Sequence, residues 1–142
     1  MAYFHGFING ANHQTLNLAS IAWILYSQAH DLVSSDEVSL GLATNNIVEY
    51  HAVIGLLNES SSHGANHIIV YLDSNLVVSQ LNHIYAIYNP VLLRFFQRVH
   101  IIEQSFESIT YQHVPRCFNS NDYSLANYIL DWHIAHSSQF DI

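Results

Sequence analysis

Lysine is absent from this 142-residue chain, and its only fixed cations are Arg94, Arg98 and Arg116, against eleven acids, for a formal charge of −8. Proteins that grip a phosphate backbone usually do so with several Lys or Arg that displace condensed counterions. A strong, sequence-independent hold on nucleic acid at neutral pH is therefore not expected. The eleven histidines add positive charge only as pH falls toward their ordinary pKa of about 6.5. Cysteine is nearly absent too: Cys117 stands alone, which rules out an internal disulfide and is compatible with a reducing compartment. Half the residues are hydrophobic and mean hydropathy is +0.14, yet no apolar run is long enough to span a bilayer. The opening MAYFHGF has no basic leader before an apolar stretch, so no secretory signal is expected. These limits predict one soluble, intracellular domain over residues 1–142, large enough to bury a core.

The pattern that is present alternates in period. Apolar and β-branched residues dominate from Ala2 to about Gly10 and from about Asn17 to Tyr26 without helical spacing, predicting two strands. A more polar strand is expected over His30 to Leu40, with a turn near Ser34-Ser35-Asp36, completing an antiparallel meander. Thr44 then reads as the N-cap of a helix carrying Ile47, Tyr50, Val53, Ile54 and Leu57, which ends in Ser60-Ser61-Ser62-His63-Gly64. His67 to Asp73 holds the continuous apolar run Ile68-Ile69-Val70-Tyr71-Leu72, as in a strand buried on both faces. Ser74 to Leu81 predicts a short helix, and Pro90 opens a longer one to Gln104 with Leu92, Phe95, Phe96, Val99 and Ile102 on one stripe. A last strand over Ser108 to Val114 and a helix from Asn121 to about His136 complete the order. Strand-helix-strand units of this kind cross over in parallel, so the fold class is α/β, a five-stranded mixed sheet flanked by helices.

Four anchors fall at the ends of these elements: Asn9, Glu49, Asp73 and the pair Asp122-Tyr123. In a mixed sheet the carboxyl ends of the first and fourth strands lie side by side, and a helix starting nearby leans a Glu over them. Clustered carboxylates are costly unless cations neutralise them, and oxygen-rich clusters suit Mg²⁺ or Mn²⁺. Two such ions can activate a water and stabilise the leaving oxygen of a phosphodiester.

The strings ATNNIVEYHAVIGLL, VYLDSNLVVSQLN and ITYQHVPRCFNSNDYSLAN resemble the three signature blocks of the type 1 ribonuclease H family, especially its plant retrotransposon-type and some prokaryotic variants. The resemblance covers nearly the whole chain and implies a ribonuclease H-like fold. It also implies a site in which four acids hold two Mg²⁺ (or Mn²⁺) ions and hydrolyse the RNA strand of an RNA–DNA hybrid. By position, Glu49 and Asp73 match the second and third acids. Asn45 and Asn46 resemble the asparagine pair that reads the minor groove, where 2′-hydroxyls distinguish RNA from DNA. Ser74 follows Asp73 as the family's serine commonly does, and Arg116 and Asn119 lie in the loop that approaches the scissile phosphate in the family.

The departures from the family pattern are equally specific. Asn9 stands where the family has its first Asp, and a neutral amide oxygen cannot bridge two cations as a carboxylate does. Aligning Leu125-Ala126-Asn127 with the family ending puts the fourth acid at Tyr123. Asp122 falls one position early, about 100° away on a helix. The resemblance therefore implies a hydrolase whose activity is lost or strongly impaired. Two other readings stay open. One is an active enzyme, with Asp122 as the fourth acid or Asn9 as an engineered substitution; the other is a domesticated module that binds protein.

Remaining features read as structural. His63 with His67, and His133 with His136 near Asp131, lack third and fourth metal ligands in recognisable spacing and are expected to be solvated surface histidines. Cys117 near His113 has no orienting third group and reads as a free thiol. On the helix over residues 90–104, Val91, Leu93 and Ile101 lie outside the core stripe, so that helix is a candidate surface for self- or protein association.

Overall fold

Ile68 to Leu72 is a continuously apolar run, and in the computed structural model it forms a strand inside a five-stranded sheet. The structure describes residues 3–13, 18–29, 31–39 and 45–114. In chain order these form β1 (Tyr3–His13), β2 (Leu18–Ser27), β3 (Leu32–Ser39), α1 (Asn45–Ser62), β4 (His67–Leu72), α2 (Asn75–Leu81), α3 (Pro90–Glu103) and β5 (Ser108–His113). The sheet order is β3-β2-β1-β4-β5. β1 to β3 form the expected antiparallel meander, β4 pairs in parallel with β1, and β5 pairs in parallel with β4. The last predicted helix, from Asn121, lies outside the described residues, as does Thr44.

α1 is buried well beyond a single stripe: Val48, Tyr50, Ala52, Val53, Ile54, Leu56 and Leu57 are all inside. It packs on β1 and β2 on one side and on α3 on another. Close approach to the sheet depends on glycine at two points. A Cβ on Gly6 would collide with the Leu56 side chain, and one on Gly55 would come within 2.9 Å of Trp23 Nε1. The helix then stops as expected, with Ser60 Oγ donating to the Leu56 carbonyl at 2.6 Å and Gly64 turning the chain at φ 79°. Both later helices carry side-chain caps: Ser74 Oγ accepts from Val77 N, and Asn89 Oδ1 accepts from Val91 N and Leu92 N.

Three local expectations are corrected. β1 continues to His13, past the predicted end near Gly10. No turn forms at Ser34-Ser35-Asp36; these residues pair with Leu25, Ile24 and Trp23 in a continuous β3. A full ladder of partners on β2 outweighs the turn preference of Ser and Asp. The irregularity of that pair lies instead at Leu25/Tyr26. Finally, His67 is not a solvated histidine, since its ring stacks on Tyr3 at 4.4 Å and its side chain is 14% exposed.

Replacing Gly6 by Val is expected to destabilise the fold by about 1–3 kcal/mol through overpacking against α1. Because the clash is with Leu56, the Gly6→Val/Leu56→Ala double variant should be more stable than the two single effects sum to, by about 1 kcal/mol. Urea unfolding of the four proteins measures both.

Candidate active site

The parallel pairing of β1 with β4 runs from Tyr3↔His67 to Ile8↔Leu72. Asn9 and Asp73 follow directly on the last paired residues, so their backbones leave the ladder near one another. β3 runs the same way as β1, because each is antiparallel to β2. α1, which connects β3 to β4, must therefore run back toward the start of the strands.

That direction locates Glu49. Leu56 sits above Gly6, and Glu49 lies seven residues earlier, two turns up the same face and about 10 Å along the helix axis. Asn9 lies three residues beyond Gly6, about 10 Å along the strand in the same direction. The first turns of α1 thus lie toward the end of the sheet at which the β1–β4 ladder stops, just before Asn9 and Asp73. Glu49 is 6% exposed and Asp73 is half-buried.

The neighbouring expected residues are distributed as follows. Asn45 and Asn46 open α1 at the same edge of the sheet. Ser74 directly follows Asp73 and uses its hydroxyl as the α2 cap, accepting from Val77 N at 3.2 Å. Arg116, Asn119, Asp122 and Tyr123 lie outside the described residues. His63 and His67 do not converge: His63 Nε2 pairs with Glu59 at 3.1 Å and His67 Nε2 with Glu107 at 3.1 Å. Among the described residues no group of three or more His, Cys, Asp and Glu is placed to hold a metal. Glu49 and Asp73 are hard oxygen donors, a set that fits one Mg²⁺ or Mn²⁺ whose other positions are filled by water.

Two supporting residues escaped the sequence reading. Tyr50, next to Glu49, is fully buried, and its hydroxyl donates to Gln80 Oε1 at 2.7 Å. This bond ties the turn of α1 that carries Glu49 to α2, the helix that follows Asp73. Burial pushes the Tyr50 phenol up to about 12. Its position on the helical stripe signals core packing; nothing local signals the Gln80 partner, thirty residues away. Across the core, Tyr111 donates to Glu103 Oε2 at 2.9 Å. Burial first, and the Glu103 carboxylate second, raise its pKa. His51 packs edge-on against Phe95 at 4.6 Å, and its pKa is lowered by burial and then by Arg98. Arg94 and Arg98, the two fixed cations among the described residues, both lie on α3.

A five-stranded mixed sheet in this order, with a crossover helix bringing a Glu over the ends of β1 and β4, defines the ribonuclease H-like fold. The chain belongs to the reverse transcriptase-like family, whose sequence model matches residues 7–129. It is 32% identical over 127 residues to a ribonuclease HI of Halobacterium salinarum, covering 89% of this chain and 64% of that protein. A bifunctional protein of Mycobacterium tuberculosis is 31% identical over 109 residues, 76% of this chain and 30% of that one. The chain thus spans less than two thirds of the length of either relative. Among solved structures, the RNase H1 of H. salinarum superposes with a TM-score of 0.75 at 32% identity, covering 91% of this chain and 98% of that one. The N-terminal RNase H domain of the mycobacterial protein gives 0.76 at 26% identity, covering 83% and 91%.

Tyr50→Phe should cost about 1–3 kcal/mol, because it leaves the buried Gln80 acceptor unsatisfied. It should also change the alkaline limb of stability. The phenol ionises near 10 when unfolded and near 12 when folded, so its contribution is complete below pH 10 and is lost as pH rises toward 12. Denaturant titrations at pH 9 to 12 should show a shallower decline in the variant than in the parent chain.

Proposed function

We propose that this chain is a ribonuclease H-type domain that retains the architecture for engaging an RNA–DNA hybrid but has lost, or nearly lost, hydrolysis of the RNA strand. What supports this reading is an Asn at position 9, where the family has an Asp, together with the end of the β1–β4 ladder at Ile8↔Leu72, directly before Asn9 and Asp73. Glu49 and Asp73 would hold one divalent cation. When bound, such an ion polarises a phosphoryl oxygen and lowers the pKa of a coordinated water. A neutral residue at position 9 supplies no bridging charge for a second ion, and Tyr123 takes the place of the fourth acid. Asn45, Asn46 and Ser74 would orient the hybrid, with Arg116 and Asn119 near its phosphates.

A formal charge of −8 without lysine further weakens productive encounter with a polyanion. Metal stabilisation of developing charge supplies several kcal/mol. At about 1.4 kcal/mol per tenfold in rate, loss of one bridging carboxylate lowers turnover by about a hundredfold or more. A second reading, an interaction module acting through α3, is favoured by the exposure of Val91, Leu93 and Ile101. Sedimentation at increasing concentration tests it.

The deciding assay is cleavage of an RNA–DNA hybrid with Mg²⁺ and with Mn²⁺. The chain should show at most about one hundredth of the turnover of an intact family member, and Asn9→Asp alone should not restore it. Asn9→Asp together with Tyr123→Asp should. Turnover near that of an intact enzyme in the unaltered chain would refute the proposal, and recovery by Asn9→Asp alone would place the defect at that residue only. Hybrid binding followed by fluorescence anisotropy should be weak at neutral pH and physiological salt, and should tighten as pH falls toward 6 and the histidines gain charge.

A further inference from the structure

The opposite edge of the sheet, where β4 and β5 begin, carries a separate polar cluster. His67 and Ser108 are the first residues of these strands and stand directly in register. His67 Nδ1 lies 2.6 Å from Ser108 Oγ, and Nε2 lies 3.1 Å from Glu107 Oε2. The imidazole plane is held by stacking on Tyr3, at 4.4 Å and 12°. The ring is largely covered, whereas Ser108 and Glu107 face solvent.

The order of donors in this cluster follows from the chemistry of its ends. A carboxylate only accepts, so the neutral ring carries its proton on Nε2 and gives it to Glu107. Nδ1 is then left as a lone pair, and the Ser108 hydroxyl must donate to it. A serine aimed at an imidazole base whose tautomer is held by a carboxylate is the arrangement of an activated oxygen nucleophile. The two ring nitrogens exchange places relative to the common triad, but the base presented to the serine is equivalent. The backbone N–H groups of Glu107 and Ser108 both point to the Asn66 carbonyl, at 2.8 and 3.4 Å. They are therefore not offered to a developing oxyanion, which limits the cluster to electrophiles with a good leaving group.

We infer that Ser108 is a nucleophilic modification site for activated acyl and phosphonyl electrophiles, with His67 as its base and Glu107 as the residue that positions the ring. With an alkyl fluorophosphonate, Ser108 Oγ attacks phosphorus, the O–P bond forms as the P–F bond breaks, fluoride leaves and the hydroxyl proton passes to His67 Nδ1. With an aryl ester, Oγ attacks the carbonyl carbon, the new O–C bond forms as the bond from that carbon to the ester oxygen breaks, the phenolate leaves and the hydroxyl proton passes to His67 Nδ1. The cluster is independent of the nuclease reading, since Asp73 lies six residues further along the chain, about 20 Å away in an extended strand.

The test is incubation of the folded chain with an alkyl fluorophosphonate probe, followed by intact mass and peptide mapping. One adduct should form, on Ser108, and Ser108→Ala should abolish it. His67→Gln should slow labelling at least about tenfold, as expected when a positioned base is removed. Glu107→Gln should slow it by at least about twofold, a smaller loss than that of the base because the exposed carboxylate is screened by solvent. An unlabelled Ser108 would overturn the inference, as would a labelling rate unchanged by His67→Gln. If His67→Gln does not fold, the Glu107→Gln rate decides, and parity with the parent chain counts against the inference.

Discussion

Parallel pairing of β1 with β4 is the constraint on which the rest of the molecule depends. A parallel pair cannot be closed by a tight turn, so the chain must return through a covering helix, and α1 fills that role. The pairing ends directly before Asn9 and Asp73, and the return helix starts, with Glu49 in its second turn, toward the same end of the sheet. Close seating of α1 requires glycine at position 6 under Leu56 and at position 55 against Trp23. The site is thus a consequence of the crossover, and residues far from it, such as Gly6, set the height at which Glu49 stands.

Stability comes from apolar burial with a few inserted polar bonds. Among the described residues His63–Glu59, His67–Glu107 and His100–Glu103 are ion pairs only when the histidine is protonated, and exposed pairs are weak in any case. The Tyr50–Gln80 and Tyr111–Glu103 bonds are different in kind, because they join separate elements through phenols set in the core. Such bonds favour one packing arrangement, since any alternative would leave a polar atom buried without compensation.

Most of the fold was legible in the chain. The apolar run Ile68 to Leu72, the Pro90 helix start and the Ser60-to-Gly64 stop are local signals, and each appears in the structure where its chemistry predicts. The Ser34-Ser35-Asp36 turn was misread because its residues favour turns, while their ladder with β2 depends on partners about ten residues away in the chain. His67 was misread for a similar reason, since Tyr3, Glu107 and Ser108 come from other strands. Of the candidate site, Glu49 and Asp73 are expected from the blocks around them; Glu49 lies in α1 and Asp73 directly follows β4. Arg116, Asn119, Asp122 and Tyr123 belong to residues the structure does not describe.

The sequence alone determined the kind and order of the elements, the scarcity of cations and the amide at position 9, because these are properties of residues and of their near neighbours. Tertiary structure decided which of those residues meet. Register between β1 and β4 ends just before Asn9 and Asp73, the crossover turns the first residues of α1 toward that end of the sheet, and register between β4 and β5 places Ser108 on His67. Each juxtaposition joins residues separated by a turn, a helix or a strand, and only cooperative burial of the whole core holds their elements together.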